Sequence, residues 1–195
     1  KLWDIVQSGE LGKVQIITMN FGSFKEYDMS NRFFNMNLAG GAMLDIGVYA
    51  LSIVRSFLDE QPDEIVSQWK PSPTGSDEQA TILLKNAQGQ MATVALSMHS
   101  KQPKRAMISL EKGYIEIMEY PRADKAVIVD AESGAQTEIT AGDTADALYY
   151  EMQDMEQAVK SGDASAMQLA YSRDVMEIMT KLRKDWGMKY PGEAW

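Results

Sequence analysis

The sequence predicts an α+β fold, an open and predominantly antiparallel sheet with helices packed on one face. Three observations carry the prediction. From Glu64 to Thr140 the apolar residues recur with a period of two, the period of a pleated strand. The connections inside that stretch are short, and short connections join antiparallel strands because parallel pairs need a longer crossover. Helical spacing is concentrated in the segments before and after it, and such segregation is the layer pattern of α+β domains.

At the amino end Leu2, Ile5 and Val6 recur at helical spacing and Gly9 follows, the last turns of a helix. After Leu11-Gly12, Val14–Phe24 is rich in β-branched and aromatic residues and is expected as a strand. Lys25–Gly40 is polar, aromatic and irregular, a loop of the length that often carries function. Gly41–Leu58 is expected as a helix. Leu44, Val48, Leu51, Val54 and Leu58 form its apolar stripe, with Asp45, Tyr49, Ser52 and Ser56 on a different face. Strands are then expected over Ile65–Lys70, Ala80–Lys85, Met91–His99, Ala106–Leu110, Tyr114–Glu119, Ala126–Asp130 and Gln136–Thr140. Asn86 to Gly89 is the turn of a hairpin, and Lys112-Gly113, Pro121 and Ser133-Gly134 mark further turns.

Thr144–Lys160 returns to helical spacing, with Leu148, Met152, Met155 and Val159 as its stripe and Ser161-Gly162 as its stop. A final helix over about Ser172–Trp186 turns Val175, Ile178, Met179 and Leu182 inward, ahead of Gly187 and Pro191. Trp69, Val94, Leu96 and Met98 are not expected to share one side of the sheet. Part of the apolar strand surface should therefore lie on a face the helices leave open, and a large open apolar face is a partner surface.

The 195 residues suffice for one domain with a sizeable core, expected over residues 1–195. No apolar run in the sequence approaches the roughly 18–20 residues of a membrane span. The net charge of −9 lacks the basic footprint that nucleic acid or an anionic membrane surface requires, so neither is an expected partner. With no cysteine, disulfides, zinc–thiolate sites and thiol nucleophiles are excluded, which fits a cytoplasmic protein. The single histidine, His99, excludes a His-rich metal site, and it is expected as a hydrogen-bonded core or interface residue. Glu151, Asp154 and Glu156 are expected as a solvated acidic face, so no metal is expected. Lys1–Glu10 is neither a signal nor a transit peptide, and a start at Lys1 suggests a fragment or a processed chain.

No Gly-rich phosphate loop is present. Gly40-Gly41 precedes a helix, but the third glycine of a dinucleotide fingerprint is missing. The informative stretch runs Arg32-Phe33-Phe34-Asn35-Met36-Asn37-Leu38-Ala39-Gly40-Gly41-Ala42-Met43-Leu44-Asp45-Ile46-Gly47-Val48-Tyr49. It resembles the Gly-Gly-x-x-x-Asp-x-Gly-x-His/Tyr segment of the glucose–fructose oxidoreductase / inositol dehydrogenase / MocA-like family. The flanks agree: Ser8 to Val14 is similar to that family's approach to its first C-terminal-domain strand. Ala158 to Gly162 and Trp186 to Pro191 are similar to its last two helices and tail. Tyr49 in the His/Tyr position resembles the dihydrodiol dehydrogenase and glucose–fructose oxidoreductase branches. Arg32-Phe33-Phe34 resembles the dihydrodiol/xylose dehydrogenase branch.

The resemblance implies a C-terminal substrate-binding domain of an NAD- or NADP-dependent oxidoreductase acting on sugars, polyols or diols. In that family an N-terminal Rossmann domain holds the dinucleotide, and a Lys of a Glu-Lys-Pro segment belongs to the catalytic site. This sequence contains neither, so the chain alone is expected to bind no cofactor and to be inactive. The family also implies a homodimer, and the open sheet face is the expected interface. The rival expectation is a non-catalytic oligomerisation or interaction module.

Residue chemistry supports the motif. Asp45 and Tyr49 are four apart on the expected helix and share a face. A hydroxyl substrate losing hydride must also lose a proton, and a tyrosine can carry that proton when a neighbouring cation lowers its pKa. The resemblance supplies the missing Lys as that cation. Asp45 and Tyr49 are thus the expected catalytic residues, and Arg32, Gly40 and Gly41 the expected substrate-binding residues. Two alternatives stay open: Arg32 as a surface salt bridge, and Gly40 and Gly41 as backbone requirements of a tight helix start.

Overall fold

The computed structural model describes residues 1–194. Eight strands form one open sheet: β1 (Val14–Gly22), β2 (Glu64–Pro71), β3 (Asp77–Lys85), β4 (Met91–Ser97), β5 (Gln102–Leu110), β6 (Gly113–Met118), β7 (Lys125–Asp130) and β8 (Gln136–Thr140). Their spatial order is β2-β3-β4-β1-β5-β6-β7-β8. Only β1 and β4 pair in parallel; every other pair is antiparallel. The exception follows from connectivity. Between β1 and β2 the chain leaves the sheet through a long loop and the helix α2 (Val48–Phe57), then returns by the β2-β3-β4 meander to the flank of β1. A crossover of this kind is what a parallel pair needs.

One face of the sheet is the core. Alternation along β1 turns Ile17, Met19 and Phe21 inward. Register sets Met19 between Val94 of β4 and Ala106 of β5. Helix α2 covers these strands with Ala50, Leu51, Val54 and Phe57. Helix α4 (Leu169–Asp185) packs on α2 through Val175, Ile178, Met179 and Leu182, the four residues the sequence turns inward. Arg55 Nε binds Asp174 Oδ2 at 2.7 Å, joining α2 to α4 through a buried ion pair. The short helix α1 (Leu2–Gln7) also lies beside α2.

Four expectations need correction. Trp69, Val94, Leu96 and Met98 do share one side: Trp69 pairs with Ala80, and Ala80 pairs with Leu96, so register aligns them. Trp69 stacks on Trp186 at 5.3 Å between ring centroids, and the other three are buried. The open face instead carries Val66, Leu83 and Met91, all largely exposed. Second, the expected Gly41–Leu58 helix begins as a π-turn over Met43–Gly47, in which the Val48 amide reaches back five residues to the Met43 carbonyl. Third, the stripe Leu148, Met152, Met155 and Val159 of α3 (Ala147–Ser161) stays largely exposed, and no residue of that helix is buried. Fourth, the successive helical turns over Met36–Phe57 are long and apolar enough, by length and composition, to cross a membrane. Half of that segment is buried in the molecule, as expected of a core helix.

Candidate active site

The motif residues meet where the loop after β1 folds back onto the start of α2. The loop leaves along β4, with Ser23 and Lys25 amides donating to Ser97 and Met98 carbonyls at 2.9 and 2.8 Å. It is pinned at its middle by Tyr27, whose hydroxyl donates to the buried Glu78. Burial alone would raise the Glu78 carboxyl, but hydrogen bonds from Lys70 and Tyr27 outweigh it and hold it low. His99 is half-buried and stacks on Tyr27 and Phe24, with Nδ1 2.8 Å from the Lys25 carbonyl oxygen. This histidine therefore holds the loop. Further on, Phe34 is fully buried and its carbonyl accepts the Thr74 hydroxyl, which seats the loop on the β2–β3 turn.

Arg32 projects from this loop, and its Nη1 lies 2.6 Å from Asp45 Oδ1. The Arg32 side chain is 62% exposed, and exposed ion pairs contribute only about 0–1 kcal/mol. Stability does not account for the pair; it does orient the Asp45 carboxylate. Arg32 and Lys25 both stand over the ring of Phe33, at 4.4 and 4.3 Å from its centroid. Tyr49, on the first turn of α2, is 47% exposed, and its ring lies 6.3 Å from that of Phe21. Its hydroxyl makes no hydrogen bond among the described residues, so it is available to a substrate.

Asp45, Tyr49 and Arg32 line one cavity of about 920 Å³. Its opposite wall comes from the β5–β6 side of the sheet and the segment from Pro121 to Val127. Lys25, Lys104, Arg122 and Lys125 add positive charge to a chain that is acidic overall. Lys104 is paired with Glu119 at 2.8 Å. The π-turn is what places Asp45 here, and π-bulges occur frequently at functional sites. Gly47 lets that turn lie close on the sheet: a Cβ there would come within 2.9 Å of Leu96.

Gly40 and Gly41 are not brought to the cavity. Both are buried, and a side chain at Gly40 would meet the Arg32 carbonyl and the Asn35 amide. Of the two readings left open for them, the structure favours the backbone one. Tyr150 lines a smaller side cavity beside Arg122 and Asp124. Glu151, Asp154 and Glu156 are exposed, and no metal-binding cluster occurs among the described residues. Sequence reasoning missed Lys104, Arg122 and Lys125, which reach the site only through the sheet. Lys25 and Phe33 carried a signal, since both sit in the long loop the sequence marks.

The model of the GFO/IDH/MocA C-terminal domain matches residues 1–116. Among curated proteins, the trans-1,2-dihydrobenzene-1,2-diol dehydrogenase of Mus musculus is 24% identical over 199 residues, covering 97% of this chain and 59% of that protein. The Xenopus laevis enzyme of the same name is 27% identical over 192 residues, covering 93% and 57%. The chain thus spans somewhat over half the length of these relatives. Among solved structures, a 3-ketoreductase from Actinomadura kijaniata in complex with TDP-benzene and NADP superposes with a TM-score of 0.76 at 18% identity, covering 94% of this chain and 57% of that one. UDP-N-acetylglucosamine 3-dehydrogenase from Acidithiobacillus ferrooxidans gives 0.70 at 14% identity, covering 92% and 56%. These likenesses show the fold, an open mixed sheet with helices on one side.

Proposed function

The chain belongs to the GFO/IDH/MocA C-terminal domain family of oxidoreductases, and from that premise we propose that it is the substrate-binding part of an NAD(P)-dependent enzyme acting on a sugar, polyol or diol. The observation that carries the reading is the convergence of Asp45, Tyr49 and Arg32 on one cavity, with the Tyr49 hydroxyl free. Oxidation of a carbinol removes a hydride from carbon and a proton from oxygen. When bound, the nicotinamide supplies the hydride acceptor. In the reductive direction the Tyr49 hydroxyl donates the proton to the forming alkoxide, and in the oxidative direction the same oxygen takes that proton back. Asp45, held by Arg32, orients the reacting hydroxyl.

The residues present do not fit the diphosphate of a dinucleotide. A phosphate-binding helix start presents free amides to the anion. Here the start behind Gly40-Gly41 is closed by the Asp77 carboxylate, which already accepts the Met43 amide at 2.5 Å. In this proposal the dinucleotide is therefore held by the part of the parent protein that the relatives' greater length represents. A substrate hydroxyl or carbonyl is the group that suits the Tyr49 side of the cavity.

Tyr49→Phe in the two-domain parent tests the reading, since it removes only the hydroxyl. With NAD or NADP, and with trans-1,2-dihydrobenzene-1,2-diol and a panel of aldoses and polyols as probes, turnover should fall by about 10²–10⁴-fold, the usual contribution of general acid–base catalysis. Near-normal turnover with an intact fold would make Tyr49 structural. A homodimer through the open sheet face belongs to the same proposal, supported by the exposure of Val66, Leu83 and Met91 there.

A further inference from the structure

Behind the Gly40-Gly41 turn lies a buried polar cluster that the proton transfer does not use. Asp77, the first residue of β3, is completely buried. Its Oδ2 accepts the Met43 amide, while its Oδ1 has no hydrogen-bond donor among the described residues. That oxygen lies so close to Gly41 that a Cβ on Gly41 would overlap it, and Gly41 holds a φ of 130°, which other residues rarely adopt. The Gly40 carbonyl next to it accepts the Tyr190 hydroxyl at 2.7 Å. Arg183 of α4 stands 4.9 Å over the Tyr190 ring and is bound by both carboxylate oxygens of Glu193 at 2.9 Å.

Stability alone does not explain a carboxylate here. Serine, threonine or asparagine at a helix start accepts the same amide without carrying charge. Burying a carboxylate with one oxygen unpaired is costly. Such a cost persists where the surrounding structure gains position from it. Met43 opens the π-turn that holds Asp45, and the first turn of α2 with Tyr49 comes directly after that turn.

We propose that Asp77 is a positioning residue of the site: its carboxylate fixes the start of the helical segment that presents Asp45 and Tyr49, and Gly41 is the residue that admits it. The inference rests on the assignment of Asp45 and Tyr49 to the proton transfer. It also makes the geometry of the site sensitive to pH. Burial pushes the Asp77 carboxyl up to about 7, against the Met43 hydrogen bond, its own nearby backbone amide, the charge of Arg183 and the nearby Ala42 amide, which favour the charged form. The groups that face it are Arg183 from α4 and Tyr190 from the tail, and Glu193 binds that Arg183. A protonated carboxyl is a weaker acceptor than a carboxylate. Below neutral pH the Met43 hydrogen bond therefore slackens, and the turn carrying Asp45 moves with it.

The test is an NMR titration of the isotopically labelled chain between pH 5 and 9, following the Asp77 carboxyl carbon and the amides of Met43, Asp45 and Tyr49. All three amides should share the inflection of Asp77, and Asp77→Asn should abolish that inflection in all three while amides of β6 and β7 keep their positions. Asp45 and Tyr49 amides that stay flat through the midpoint of Asp77, wherever it falls, would overturn the proposal. If Asp77→Asn does not fold, the wild-type titration alone decides by the same criterion. Activity loss in Tyr49→Phe is a separate measurement, so a failed catalytic assignment and a failed positioning role give different results.

Discussion

Asp77 is the titratable group through which single-residue chemistry reaches furthest. Its folded carboxyl is raised from an ordinary 3.8 to about 7. Over that window the folded chain keeps a proton that the unfolded chain has released. The contribution of Asp77 to stability therefore falls as pH rises from about 4 to about 7 and levels off above, by an amount on the order of 4 kcal/mol. Asp77→Asn removes the titration. The melting temperature of the variant relative to the wild type should thus increase from pH 5 to pH 8, whatever the offset between them; a constant difference would deny the raised carboxyl. Asp45, Tyr49 and Arg32 were legible from the sequence because they lie within one local motif. Asp77 was not. It reads as an ordinary acid before a strand, and only the packing of β3 against the Gly40-Gly41 turn gives it a helix amide to hold.

At the scale of elements, α2 and α4 depend on each other through Arg55 and Asp174, whose side chains are 11% and 8% exposed. Arg55 also donates to the Leu58 carbonyl and stacks on Tyr171. Removing one partner of a buried ion pair strands the other, so Asp174→Ala should cost about 3–5 kcal/mol, read by urea unfolding. A loss below about 1 kcal/mol would place the pair among exposed bridges. Most of the strands were legible because alternation survives in them, with boundaries displaced by a few residues; β7 lacks it and shows instead a run of β-branched residues. The π-turn was not, since helical periodicity does not distinguish i→i+4 from i→i+5 over a single turn. Helix α3 was legible as amphipathic, yet its stripe stays largely exposed within the described chain. Amphipathicity states that a face needs covering and not what covers it.

At the scale of the whole molecule, two outcomes separate a catalytic part from a simple module. Calorimetric titration of this chain with NAD and with NADP should show no micromolar binding, because the helix start a diphosphate would use is closed by Asp77. Micromolar affinity for either would overturn the proposed division between this chain and the rest of its parent. Light scattering should give about twice the 21.8 kDa chain mass, for an isologous dimer through the open face. Leu83→Glu, at a position 51% exposed beside Val66 on that face, should return the chain to monomer mass. A wild-type monomer at every micromolar concentration would dismiss the interface.

The sequence by itself determined the fold class, the order of its elements and the motif from Arg32 to Tyr49. These are local properties, since periodicity and spacing survive in a linear chain. It also led to the family, through residues that are neighbours along the chain. The tertiary structure decided the rest. It set the strand order that puts β1 between β4 and β5, and the register that brings Trp69 to the side of Leu96. It brought Lys104, Arg122 and Lys125 to the wall opposite Tyr49, and it turned Gly40 and Gly41 away from the cavity toward Asp77 and Tyr190. Contacts between residues remote in sequence are fixed by which faces bury one another, and a linear pattern records that a face is apolar but not which face it meets.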